Sequence, residues 1–148
     1  MLEVLSVVAI IVAGLMVGSE LAIAMFVHPT LDRVPDQVHL PAASALARAQ
    51  GRVMPFWYIL VFLLTLAEVV IQWRQSGRLP ICIVISAVLW MLAILYSVIA
   101  LVPINNRLKS NPPPDWKMYR RRWDLLHRWR VVLLTIAFAF LIVGFIGK

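Results

Sequence analysis

The sequence of 148 residues is 62% hydrophobic and only 14% charged, with a mean hydropathy of +0.88. This composition excludes an ordinary soluble domain and predicts an integral membrane protein. The formal net charge of +7 does not indicate nucleic-acid binding. The main cluster of basic residues lies directly before the fourth apolar run. At such a position tryptophan and arginine are ordinary interfacial residues, and anionic lipid is the nearest partner. The single cysteine, Cys82, excludes an intrachain disulfide and a cysteine metal cluster.

Four apolar runs have about the length that a helix needs to cross a hydrocarbon core of roughly 30 Å. They cover residues 4–27, 56–73, 81–102 and 129–146. Because backbone groups in lipid must form their hydrogen bonds within their own segment, runs of this length predict helices. The chain is therefore predicted to be all-α, with residues 1–148 forming one transmembrane domain built as a four-helix bundle.

The connections between these runs differ in character. Residues 28–55 form a long first loop, in which Pro41 favours the first turn of a short interfacial helix. The third loop opens at Pro103, which is predicted to end the third span, and contains the stretch NPPPD. Asp115 suits the N-cap of an extended fourth helix, residues 116–146, whose Arg-rich beginning projects beyond the hydrocarbon.

Basic residues are distributed unevenly between the two faces of the predicted bundle. Eleven of the fourteen Lys and Arg residues fall in or beside the first and third loops. Under the positive-inside rule, these two loops are cytoplasmic and both termini lie outside. The expected location is the inner membrane of a bacterium, with membrane lipids as partners and a homo-oligomer as one arrangement that the sequence allows.

Polar residues concentrate at one face of the bundle, where the ends of the first and third spans meet the starts of the second and fourth. Ionisable residues within spans are costly and usually face the bundle interior, so Glu20 is the most informative of them. On the fourth helix, Trp123, His127 and Arg130 recur at intervals of three or four and form one stripe. The predicted cluster contains Glu20, His28, Asn105, Asn106, Trp123, Asp124, His127 and Arg130.

Two chemistries suit this cluster, and a structural role competes with both. In the first, Asp124 orients the neighbouring His127, which exchanges a proton with a bound organic molecule. In the second, the histidines and carboxylates hold an iron or copper ion, or haem is bound. In the structural alternative, Glu20 pairs with Arg130 in a salt-bridge network. The predicted catalytic residues, which are also the alternative metal ligands, are Glu20, His28, Asp124 and His127; the predicted substrate-binding residues are Asn105, Asn106, Trp123 and Arg130.

Three stretches in combination carry a family likeness: GSELAIAMFVHPTL, LVPINNRL and RWDLLHRWR. Together they resemble the anthrone-oxygenase-like family of small four-span membrane proteins, over nearly the whole chain. The resemblance implies oxidation of an aromatic anthrone to a quinone by molecular oxygen, with no obvious organic cofactor. The positions that match the family's motifs are Glu20, His28, Pro29, Pro103, Asn105, Asn106, Trp123, His127 and Arg130.

The residues and the resemblance together predict a membrane-embedded oxidoreductase or oxygenase. Its predicted partner is a small hydrophobic, aromatic molecule, anthrone- or quinol-like, which enters sideways from the bilayer and reacts with molecular oxygen. The alternative is a non-catalytic membrane protein that binds a lipid, a small molecule or a partner subunit. Nothing in the sequence names the substrate.

Overall fold

The computed structural model describes residues 2–110 and 113–147, and within these ranges it contains helices and no strand. Four helical stretches, 3–31, 36–76, 81–108 and 116–146, are long and apolar enough to cross a membrane. The all-α prediction with four spans is therefore confirmed. The helices are α1 (Leu2–Ala22), α2 (His28–Leu31), α3 (Asp36–Ser76), α4 (Ile81–Tyr96), α5 (Val102–Ser110) and α6 (Trp116–Ile146), with π-helical turns at Ile23–Val27 and Ser97–Leu101.

The long helices form a bundle in which α6 packs against α1 and α4, and α3 packs against the same two helices. Large apolar side chains cover the outside, among them Phe56, Ile99 and Ile146, which are 75%, 74% and 79% exposed. Such an apolar exterior would be unstable in water and suits a hydrocarbon environment. The chain is thus an integral membrane protein.

Small residues and buried hydrogen bonds hold the helices together. Ala93 of α4 and Ala137 of α6 are fully buried, and the Ser86 hydroxyl donates to the Ala137 carbonyl at 2.8 Å. The Trp57 indole N–H of α3 donates to the Val12 carbonyl of α1 at 3.1 Å. Close backbone approach and polar contacts between helices drive association in lipid, where the solvent is as apolar as the core.

Gly144 of α6 packs directly against Ile83 of α4, and replacing it with alanine should destabilise the bundle. A Cβ atom there would overlap Cγ1 of Ile83 and lie 3.3 Å from the Ile83 backbone nitrogen. Because Ile83 is fully buried and cannot move aside, we expect Gly144→Ala to cost about 1–3 kcal/mol of unfolding free energy. Thermal unfolding in detergent measures this loss. Gly18→Ala is the control, since nothing lies within 4 Å of a Cβ at that position.

The structure differs from the sequence prediction in residues 28–55, which connect the first and second spans. Instead of a loop with a separate interfacial helix, residues 36–76 form one helix of 41 residues that includes Pro41 and Pro55. The first half of α3 buries His39, Ala43 and Ala47, which are spaced four residues apart and form one stripe. This buried stripe explains why the segment continues the helix rather than lying separately at the interface.

Pro103 does not end the third span. The chain forms a π-helical turn over Ser97–Leu101 and continues into α5, with the Val102 N–H bonded to the Ser97 carbonyl. A second π-helical turn precedes Pro29 in the same way. We attribute both turns to the prolines, since a wider turn relieves the clash of a proline ring with the preceding turn. The predicted NPPPD break begins at residues 111–112, outside the described residues, and α6 begins after Asp115 as predicted.

Candidate functional site

An apolar cavity of about 300 Å³ lies between α3 and the third span, at the end of the bundle where the sequence places the polar cluster. Its mouth is formed by Ile59, Val98 and Val102, which are exposed on the lipid-facing exterior. A lateral mouth of this kind gives access from the hydrocarbon. The polar residues that line the cavity are Glu20, Gln50, Tyr58, Ser97, Asn105, Trp123 and Arg130.

A fully buried carboxylate and its partners form the polar part of the cavity wall. The Glu20 Oε2 atom accepts a hydrogen bond from Nη2 of Arg130 at 2.8 Å, and Oε1 accepts one from the Tyr58 hydroxyl at 2.8 Å. Arg130 also donates to the Ser97 hydroxyl at 3.2 Å. A buried ion pair is stabilised when further hydrogen bonds satisfy the ions. These contacts satisfy both carboxylate oxygens of Glu20, whereas Nε of Arg130 is buried without a partner among the described residues.

Four elements of the fold assemble this wall. Glu20 lies near the end of α1, Tyr58 in the middle of α3, Ser97 in the π-helical turn after α4, and Arg130 in α6. None of these residues is near another in the sequence, so the charged pair forms only when the bundle closes. The predicted pairing of Glu20 with Arg130 is present.

His127 lies directly behind this ion pair and is fully buried. Its Nδ1 atom is 2.9 Å from Nη2 of Arg130 and 3.6 Å from Oε2 of Glu20. Arginine has only donors, so the short contact makes Nδ1 an acceptor and places the imidazole proton on Nε2. His127 therefore contacts the charged pair, but it does not line the cavity.

Three aromatic rings pack together next to His127. The Trp123 ring stacks on the His127 ring with 5.0 Å between centroids, and the His28 ring lies 4.9 Å from His127 and 5.1 Å from Trp123. The Nε2 atoms of both histidines and the Trp123 indole nitrogen are buried without a hydrogen-bond partner among the described residues. Trp123 also lines the cavity, and it is thus in contact with both the cavity and the histidines.

The predicted pairing of Asp124 with His127 is wrong. The Asp124 Oδ1 atom lies 3.2 Å from Nδ1 of His28 and 3.1 Å from Nη2 of Arg120. His127 and Asp124 are neighbours along α6, but the two side chains engage different elements: His127 faces Arg130 and Glu20, whereas Asp124 faces the start of α2. Contacts between different helices, and not the three-residue spacing along α6, therefore decide the partner of Asp124.

A second cavity, of about 210 Å³, lies on the other side of Asp124 and is lined mainly by polar residues. Arg120 and His39 are 6% exposed and both line it, while Asp36 and Lys117 form an exposed ion pair at its rim. His39 is not among the residues that the sequence predicts for the site. The structure buries it against Trp116, with 5.1 Å between ring centroids.

The structure brings some predicted site residues to the cavity and not others. Asn105 lines it, whereas Asn106 is exposed. Sequence reasoning missed Tyr58 and Ser97, because a single hydroxyl in an apolar run is compatible with any face of a helix. The predicted residues that line the cavity are Glu20, Asn105, Trp123 and Arg130; those that do not are His28, Asn106, Asp124 and His127.

The donor set gives no support to a metal centre. Among residues 2–110 and 113–147, no group of three or more His, Cys, Asp or Glu side chains is placed to hold a metal ion. In addition, Nδ1 of His127 faces a guanidinium, which would repel a cation. A bound iron or copper ion, like the haem alternative, stays a prediction.

The fold and the site define a small integral membrane protein in which a four-helix bundle carries an apolar cavity, open to its side, with a buried charged pair in the wall. The family model for anthrone oxygenase matches residues 4–140, which is nearly the whole chain. The chain belongs to the anthrone oxygenase family, and the resemblance predicted from the sequence is confirmed. No curated protein and no solved structure shows a significant match to it. Family membership indicates an oxygenase-like function.

Proposed function

We propose that the protein is a membrane oxygenase that oxidises a small, flat, aromatic compound of the anthrone type with molecular oxygen. The observation that carries this proposal is a charged Glu20–Arg130 pair in the wall of an otherwise apolar cavity that opens toward the bilayer. The cavity volume, about 300 Å³, is at the lower end of the range for small-molecule sites. An apolar ring system fits such a cavity, and the Glu20–Arg130 pair would contact the reactive carbon and the carbonyl group of the substrate.

Glu20 is the proposed base. It removes one proton from the methylene group of the substrate, and the resulting anion gives two electrons to molecular oxygen as a carbon–oxygen bond forms. The peroxide anion takes up a proton to become a hydroperoxide. Glu20 then removes the second methylene proton, the carbonyl forms, the oxygen–oxygen bond breaks, and the leaving hydroxide is protonated to water. One methylene group and one oxygen molecule thus give one carbonyl group and one water, and no other oxidant is needed.

Arg130 and Asn105 are the proposed stabilisers of negative charge, and Tyr58, whose only hydroxyl hydrogen is donated to Glu20, orients the base. Deprotonation of an anthrone places charge on the ring carbonyl oxygen, and donors fixed in an apolar site stabilise such an oxyanion far better than water does. Arg130 and Tyr58 already donate to Glu20, so they are held in place before substrate binds. Asn105 lines the same cavity from α5 and supplies a further amide donor.

A bulky residue at the lateral mouth should block substrate entry. Val98 lines the cavity and is 58% exposed, whereas Ile99, the next residue, is 74% exposed and does not line it. We expect Val98→Trp to lower kcat/KM by about tenfold or more, equivalent to at least about 1.4 kcal/mol. Ile99→Trp should leave kcat/KM unchanged. Steady-state assays in liposomes measure both, and equal effects of the two variants would contradict entry through this mouth.

Oxygen consumption by the purified protein in liposomes tests the proposed function. Anthrone is the substrate probe, and quinone formation is followed by its absorbance against the spontaneous oxidation in protein-free liposomes. We expect quinone and oxygen uptake in equal amounts, above that background. Oxygen uptake equal to the background with anthrone and with quinol-type compounds would overturn the proposal.

A structural role for the charged pair is the competing proposal, and one observation favours it. Both carboxylate oxygens of Glu20 already have a hydrogen-bond partner, as expected of a residue that only holds helices together. In that case the protein binds a lipid or another small molecule without chemistry. Neutralising Glu20 would then lower folding yield, with no chemistry to lose.

We propose that the polar cluster faces the cytoplasm and that both termini lie outside, on the basis of the uneven distribution of basic residues. Cys82, at the start of α4, lies at the opposite end of the bundle from the cluster and is partly exposed. We expect a membrane-impermeant maleimide to label Cys82 in spheroplasts. The control is Ala45→Cys in a Cys82→Ser background, which should be labelled only in inverted vesicles. The reverse labelling pattern would show that the polar cluster faces outward and that both termini are cytoplasmic.

A further inference from the structure

We propose that a groove between the third span and α6 binds one anionic phospholipid, with the lipid phosphate at the polar end of the groove and the acyl chains along its apolar end. The groove has a volume of about 420 Å³ and shares no lining residue with the apolar cavity. The inference therefore does not rest on the proposed function. The polar end of the groove is formed by Arg107, Tyr119 and Arg122, and the apolar end includes Ile99 and Leu126.

The order of residues along the two helices gives the groove these two ends. In the third span, Ile99 precedes Arg107 by eight residues, which is about 12 Å along a helix axis. In α6, which runs in the opposite direction, Arg122 precedes Leu126 by about one turn. On both helices the arginine is thus nearer to the end of the bundle where α5 and α6 are connected, and the apolar residue lies deeper. A phospholipid has the same arrangement, with its phosphate at the interface and hydrocarbon beneath it.

The charges of the lining residues favour an anion. Arg107 and Arg122 are both exposed. Within the part of the chain that the structure describes, no carboxylate lines the groove or pairs with either arginine. By contrast, Lys117 and Arg120 of α6 each lie within 3.1 Å of a carboxylate oxygen. Two guanidinium groups in one groove suit a phosphate, because its oxygens accept hydrogen bonds from their planar sets of donors.

Tyr119 holds Arg107 in place at the polar end. Its hydroxyl accepts a hydrogen bond from Nη1 of Arg107 at 2.9 Å, and the guanidinium carbon lies 5.2 Å from the centre of the Tyr119 ring. The Arg107 side chain is therefore ordered before a lipid binds, which lowers the entropic cost of binding. Because the Tyr119 hydroxyl is the acceptor in this bond, its own hydrogen can be donated to a phosphate oxygen. A bound lipid would thus join α5 to α6.

Native mass spectrometry of the delipidated protein tests the site, with dioleoyl phosphatidylglycerol as the anionic probe and dioleoyl phosphatidylcholine as the zwitterionic one. We expect the wild type to bind one phosphatidylglycerol about tenfold or more tightly than phosphatidylcholine. Arg107→Gln and Arg122→Gln should each reduce this preference by about fivefold, and the double variant should lose it. Arg128→Gln removes the same charge from an exposed position of α6 outside the groove and should leave the preference unchanged.

Three outcomes of this experiment would overturn the lipid site. One is equal affinity of the wild type for the two lipids. Another is an equal loss in all three single variants, which would indicate diffuse attraction to the basic surface. The third concerns glycerophosphoglycerol, which has the same headgroup as phosphatidylglycerol but no acyl chain. It should not displace the bound lipid at millimolar concentration, and displacement would show that the groove binds a soluble anion without using its apolar end.

Thermal unfolding in detergent gives a second measurement. Phosphatidylglycerol should raise the Tm of the wild type and of Arg128→Gln, since a ligand that binds only the folded state stabilises it. It should not raise the Tm of the Arg107→Gln/Arg122→Gln variant, and an equal rise there would also overturn the site. Oxygen uptake by a protein without lipid preference would leave the proposed function standing, and lipid preference without oxygen uptake would leave the lipid site standing.

Discussion

Replacing Glu20 with glutamine should lower kcat for anthrone oxidation by about 10²–10⁴-fold, the usual contribution of a general base. Glutamine keeps the size of the side chain and its ability to accept a hydrogen bond from Tyr58, but it cannot take a proton from the substrate. Because the cavity itself is preserved, KM should change little. Quinone formation under initial-rate conditions, normalised to folded protein, measures the effect.

Glu68→Gln is the matched control for that variant. Glu68 is 1% exposed, so it is as deeply buried as Glu20. It lies on α3 ten residues beyond Tyr58, away from the apolar cavity, and Ser6 and Gln72 donate hydrogen bonds to it. Neutralising Glu68 should leave kcat unchanged. If the two glutamine variants lost activity equally, the loss would result from burying a neutral amide in place of a carboxylate, and Glu20 would have no special role as a base.

Replacing Arg130 with methionine should cost about 3–5 kcal/mol of unfolding free energy, because it leaves the Glu20 carboxylate buried without its cationic partner. The same change removes the donors to Ser97 and His127. In the double variant with Glu20→Gln, no isolated charge remains, so a large part of the loss should be recovered. Unfolding in mixed micelles, followed for all four proteins of the cycle, measures the coupling between the two residues.

Arg128→Met provides the comparison for Arg130→Met. Arg128 is two positions away on α6 and exposed, and its replacement should change stability by no more than about 0.5 kcal/mol. Additive losses in the Glu20–Arg130 cycle would contradict a direct ion pair. A stable Arg130→Met protein would show that Glu20 is not charged when buried, which removes the basis for its role as a base.

The sequence could identify the polar cluster but not its internal pairing. Glu20, Trp123 and Arg130 were predicted at the site because ionisable or interfacial residues inside apolar runs are costly and tend to converge. Helical spacing then suggested that Asp124 orients His127, whereas the structure pairs Asp124 with His28. The His28 contact depends on where α2 is directed after a π-helical turn, and no periodicity in the sequence encodes that direction.

Tyr58 and the continuous α3 illustrate what else the sequence could not provide. Tyr58 is one of several aromatic residues in the second span, and only the position of α1 next to α3 brings its hydroxyl to Glu20. Pro41 and Pro55 favour breaks in a helix by local rules. The helix persists through both because the buried stripe of its first half packs against the bundle, which outweighs the local cost.

By itself, the amino-acid sequence determined the four spans, their order, the N-terminal start of α6 and the end of the bundle at which the polar residues collect. These follow from the positions of the apolar runs and from the fact that each span crosses the membrane in the direction opposite to the one before it. Only the tertiary structure decided which polar side chains line the apolar cavity and which lie away from it. Side-chain pairing depends on helix rotation and packing distance, and these are set by contacts between residues far apart in the chain.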